Sequence, residues 1–112
     1  MPNRRRSEVA ATIAGRRYTL CLTLGALAEL EEAFGVGDLS ALGERFGSGR
    51  LAAADLVKLL GAGLRGGGET VPDEEIRAWP AAALPEIGAA AAALLAATFG
   101  EPPPNPPAPQ EA

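Results

Sequence analysis

The chain has 112 residues, no histidine, one cysteine, 47% hydrophobic and 21% charged side chains, and a formal net charge of −4. That size fits one domain with one small core, and the composition offers neither a metal-ligand set nor a nucleophile paired with a base. Charge is uneven: residues 1–17 hold five arginines against Glu8, whereas residues 18–112 hold five basic and thirteen acidic residues. The body therefore repels phosphate, and nucleic acid is not an expected partner.

The basic start, residues 1–7, reads as a flexible terminus. No continuous apolar stretch of the kind that marks a secretory signal follows Met1-Pro2-Asn3-Arg4. Glu8–Ile13 and Arg17–Leu22 then alternate in polarity around Ala14-Gly15-Arg16. Val9, Ala11 and Ile13 share one face, as do Tyr18, Leu20 and Leu22, which predicts a hairpin. Two strands are marginal alone and need a helix beneath them. Cys21 has no second cysteine in the chain and is expected to be a buried small hydrophobe in a reducing compartment.

Thr23 is a good N-cap for a helix over Leu24–Phe34, with Leu24, Leu27, Leu30 and Phe34 as its stripe and Gly35 as its stop. Asp38 caps a shorter helix with Leu39, Leu42 and Phe46 in helical spacing, ended by Gly47 and Gly49. Arg50–Leu64 is too apolar for a narrow stripe, which predicts the most buried helix. Its Gly61 and Gly63 mark either a close crossing or fraying.

Arg65–Thr70, with three consecutive glycines, reads as a flexible connection. A phosphate-cradling loop would need Lys and Ser/Thr after the glycines at a helix start, and here Glu69 follows a helix. Pro72–Ile76 opens a short helix ending near Trp79-Pro80, with Asp73, Glu74 and Glu75 in its first turn. Leu84-Pro85 opens the last helix, which uses Ile87, Ala91, Leu94, Leu95, Thr98 and Phe99. The longest Ala/Leu run, Ala89–Ala97, is nine residues, shorter than a membrane span, so no membrane is expected. Residues 100–112, with six prolines, form a disordered tail.

The expected architecture is α+β: a short N-terminal β-hairpin packed on four to five α-helices within residues 8–99, with a disordered Pro-rich C-terminal tail. Leu27, Leu30, Phe34, Leu56, Leu60, Leu94 and Phe99 are its expected core. Glu29, Glu31 and Glu32 have no histidine or cysteine beside them to give them acid–base work, and they read as solvated helix carboxylates. Trp79 either plugs the end of the core or anchors a partner. Trp79, Glu29 and Glu32 are the candidate partner-binding residues; catalytic, cofactor and metal sites are expected to be none.

The string Leu24-Gly25-Ala26-Leu27-Ala28-Glu29-Leu30-Glu31 follows the hairpin directly, then come a glycine-bounded short helix and Ala54–Leu64. This order resembles, over about residues 8–99, a small protein encoded among the tail genes of gene transfer agents and related siphophage-like elements of alphaproteobacteria. That family is described both as a tail assembly chaperone and as a tail tube protein. The resemblance implies a non-enzymatic, cytoplasmic chaperone that binds the tape-measure protein while tail tube protein polymerises, with self-association as a further contact. A structural tail tube component retained in the particle is the alternative. The residues favour the chaperone, since tube subunits are β-rich and this chain offers two strands and at least four helical elements. Two readings lie outside the resemblance: a generic helical adaptor, and a small DNA-associated factor using Arg4–Arg6, Arg16 and Arg17.

Overall fold

A computed structural model describes residues 8–100. The expectations for the basic start and for the tail beyond Gly100 lie outside the described residues.

Strands β1 (Val9–Ile13) and β2 (Arg16–Leu20) pair antiparallel, with Val9 opposite Leu20 and Ile13 opposite Arg16. Ala14 and Gly15 form the turn at φ 53° and 82°. Two residues of positive φ give a turn whose twist suits the strands. The expected returning strand ran from Arg17 to Leu22, one residue late at its start and two too long. The tight turn carries Arg16 into register with Ile13, and beyond Leu20 the chain bonds elsewhere: Cys21 N–H donates to the Gly63 carbonyl at 2.9 Å. Ile13, Tyr18, Leu20, Cys21 and Leu22 are buried, with Val9 and Ala11 half-buried at the sheet edge.

Helix α1 spans Leu24–Phe34; the Thr23 hydroxyl accepts from Ala26 N–H at 3.0 Å, and Gly35 ends it at φ 66°. Leu27 and Leu30 are buried and Phe34 is half-buried, but Leu24 is 80% exposed. A helical side chain leans toward the N-terminus, so Leu24, first in the helix, leans away from the core that its later neighbours enter. Helix α2 (Leu39–Gly47) is capped by Asp38, which accepts from Ala41 N–H at 2.8 Å. Its Leu42 and Phe46 are buried, and Phe46 meets Phe34 edge-on at 5.3 Å.

Helix α3 (Ala53–Gly66) begins later than the apolar pattern predicts. Asp55 accepts from Ala52 N–H at 2.9 Å, which sets the start there and leaves Leu51 outside. Its centre is the most enclosed part of the molecule, with Leu59 through Leu64 buried without a break. Gly63 marks a close crossing rather than fraying: a Cβ there would stand 2.5 Å from Leu94 Cδ2. The glycine run is packed as well. A Cβ on Gly66 would collide with the Cys21 carbonyl, and Glu69 N–H donates back to Leu64 O at 2.9 Å. The expected flexible connection is therefore a fitted turn lying against β2.

Helix α4 (Asp73–Arg77) follows, then a 3₁₀ turn at Ala81–Ala83 and helix α5 (Leu84–Phe99). Together the last two make a helical stretch of 19 residues with mean hydropathy 1.6, long and apolar enough by length and composition to cross a membrane. The nine-residue Ala/Leu run understated it, because Ala81–Gly88 extends the helix without adding to the run. Ile87, Ala90, Ala91 and Leu94 seat this helix in the core. Phe99 does not join them and is 41% exposed, contrary to expectation. Five residues beyond Leu94 rotate it about 140° from that seam, and it lies over α2, where a Cβ on Gly43 would be 3.8 Å from its ring.

The hairpin thus packs on two helices, β2 against α3 and β1 against α5, while α1 and α4 pack on α3 and α2 on α1. This is the α+β hairpin-on-helices architecture that the sequence predicts.

Candidate functional site

Trp79 sits just past α4, where Pro80 prevents the helix from continuing. Its ring meets Tyr18 of the hairpin at 5.7 Å between centroids, and the residue is half-buried. Beside it, α3, α4 and the start of α5 enclose a cavity of about 340 Å³, lined by Leu56, Val57, Ile76, Trp79, Leu84 and Ile87 among others. Arg77 is the only charged side chain in that lining. Leu84 lines the cavity while remaining 54% exposed, so apolar surface continues to the outside. A wall with so few polar groups does not orient a small substrate. It can receive an apolar side chain, as interface pockets do for anchoring residues.

The acidic candidates lie on another seam. Glu29 forms an ion pair with Arg65 of α3, and Arg65 also holds Asp73 at the head of α4 at 3.3 Å. Lys58 adds a longer contact to Asp73 at 3.5 Å. Burial opposes the charge on Arg65, yet hydrogen bonds and attraction from Glu29 and Asp73 outweigh it and raise its pKa above the ordinary value. These groups are substantially solvated, so the network aligns α1, α3 and α4 more than it stabilises them. Glu32 is exposed. The structure therefore places Glu29 in an internal bridge and Trp79 on the hairpin side of the cavity, rather than gathering them with Glu32 into one cluster.

Two carboxylates with backbone partners had no signal in the sequence. Glu69 accepts from Thr19 N–H at 2.8 Å, and Glu86 accepts from Ala14 N–H at 2.9 Å. Each clamps the hairpin to a distant turn or helix, and no local pattern announces a partner 50 or 72 residues away. Among the described residues, no group of three or more His, Cys, Asp or Glu side chains could hold a metal ion.

Residues 6–101 match the family described as "Phage tail tube protein, GTA-gp10". The chain belongs to this family. The match spans the hairpin and every helix, so the tail-protein family and the fold coincide along the chain. No curated protein matches the chain, and no solved structure does. Membership places the protein among phage and gene-transfer-agent tail tube and tail assembly chaperone proteins, consistent with a non-enzymatic part in virion morphogenesis. Between the two expectations from the sequence, the family's description favours the structural tail component over the chaperone.

Proposed function

We propose that this chain acts through protein contacts alone, as a structural component of a phage-like tail built around its tube. The observation that carries this reading is the family match over residues 6–101, whose description is that of a tail tube protein. The cavity beside Trp79 gives such a subunit an apolar socket for a neighbouring tail protein.

A second reading has its own support in the fold. Among the described residues, two short strands beside five α-helices are little sheet with which to line a tube, and an apolar socket on a helical body suits transient capture of another chain. On this reading the protein holds the tape-measure protein in the cytoplasm during assembly and then departs. The two readings separate in one experiment: tagged protein is recovered from cells assembling particles, and its abundance is compared with that in purified mature particles. Stoichiometric retention in the tail is the expected result. Recovery with the tape-measure protein during assembly, followed by absence from mature particles, would move the function to the chaperone. Absence of any tail protein from both samples would remove both readings.

A further inference from the structure

We propose that the cavity beside Trp79 selects a partner segment in which a large apolar side chain stands next to a single carboxylate, the apolar group filling the cavity and the carboxylate pairing with Arg77. This rests on the reading of the cavity as a socket for a neighbouring tail protein, and it states the chemistry of the segment that the socket takes.

Helices α3 and α5 meet closely where Gly63 faces Leu94, and the cavity lies toward the starts of both, with α4 and Trp79 completing its wall. Leu60, Ile76 and Ile87 are buried at its base, whereas Arg77, Pro80 and Leu84 are exposed. The base is therefore apolar, and the one charge stands among the exposed groups at the rim. An apolar cavity of about 150 Å³ takes up one benzene. At about 340 Å³ this one has room for an aromatic side chain and a second apolar group.

Among the described residues the Arg77 side chain has no ion pair. The acids placed to reach it from one turn back along α4 are Asp73 and Glu74. Asp73 is held by Arg65 and Lys58, and Glu74 makes no ion pair among the described residues. An uncommitted guanidinium on the rim of an apolar cavity matches a carboxylate beside the group that fills the cavity. The two contacts divide the work. The apolar group holds the segment in place, and the ion pair decides which residue stands next to that anchor. A lysine there would meet Arg77 as a like charge and be disfavoured. One carboxylate is the favoured number, because Glu74 and Glu75 are exposed on the same short helix and repel a second acid.

Trp79 is the one tryptophan of the chain and stands on the cavity wall, so its emission reads occupancy directly. The full chain is titrated with three end-blocked peptides: Gly-Phe-Leu-Glu-Gly, and the same peptide with Gln or Lys in place of Glu. Peptide is raised to about 10 mM, which reaches millimolar affinities. The Glu peptide is expected to bind about two- to fivefold tighter than the Gln peptide, the scale of an exposed ion pair. The Lys peptide should bind weakest, and the differences should fade in about 1 M salt. Arg77→Gln should abolish the preference while leaving affinity for the Gln peptide unchanged. Arg77→Glu should reverse the order, so that the Lys peptide binds best; an arginine needed only for the fold would weaken all three alike. Unchanged thermal midpoints show that both variants remain folded. Equal binding of the three peptides overturns the proposal, as does a preference that survives both substitutions or a Trp79 emission that no peptide changes. Emission that shifts with protein concentration alone, or on removal of residues 101–112, assigns the cavity to a second copy or to the chain's own end and also overturns it. The tail reading fails separately. A charge preference at the cavity with no tail protein recovered from assembling cells upholds the selectivity and rejects the tail partner, whereas recovery of tail proteins without the preference rejects the selectivity alone.

Discussion

Ala14 shows how one residue can carry strain that another holds in place. Its φ of 53° is left-handed, a conformation that costs an L-residue with a side chain roughly 1–2 kcal/mol. Glu86 accepts its N–H at 2.9 Å and fixes the turn over the start of α5. Ala14→Gly should relieve the strain and raise stability by about 0.5–1 kcal/mol, read as a higher urea midpoint with the same slope. A lower midpoint would show that the methyl group is worth more than the strain it causes. Leu60 and Phe99 give a second test at this scale, since the apolar pattern assigns both to the core. Leu60 is 0% exposed and Phe99 41%. Leu60→Ala should cost about 2–5 kcal/mol, and Phe99→Ala about 1 kcal/mol, because less apolar area is removed from contact. Equal losses in thermal unfolding would contradict the exposure of Phe99.

Element boundaries were legible where their causes are local. Thr23 and Asp38 each accept a backbone N–H three residues on, within the segment that the sequence displays. Gly35 needs only its own positive φ to end α1. The glycine turn was opaque for the opposite reason. Gly66 must be small because the Cys21 carbonyl lies against it, and Glu69 is committed to Thr19 N–H across the fold. Composition alone makes that stretch look loose. Glu69→Ala should therefore speed exchange of the Thr19 amide selectively, because it loses a charge-assisted acceptor at the sheet edge. Unchanged Thr19 exchange would mean that the carboxylate does not guard β2.

At the scale of the whole molecule, the cavity beside Trp79 is the contact surface that the packing of the helices builds. The sequence pointed to Trp79 because a single large aromatic beside proline is conspicuous, but it concealed the cavity, which needs three helices to enclose it. Trp79 cannot by itself tell a core role from a partner role. It packs on Tyr18 and lines the cavity at once, so Trp79→Ala removes both kinds of contact. Leu84 separates them, since it lines the cavity and is 54% exposed. Leu84→Glu should change stability by no more than about 0.5 kcal/mol, the range of ordinary surface substitutions. It should nevertheless place a charge at an apolar socket and lower recovery of tail proteins with the tagged chain, because an unpaired carboxylate is costly to bury against a partner. Thermal unfolding and recovery from assembling cells are measured on the same variant. Normal unfolding with reduced recovery identifies the cavity as a partner contact. Normal unfolding with full recovery shifts the contact to another face, leaving Trp79 as a plug between the hairpin and α4.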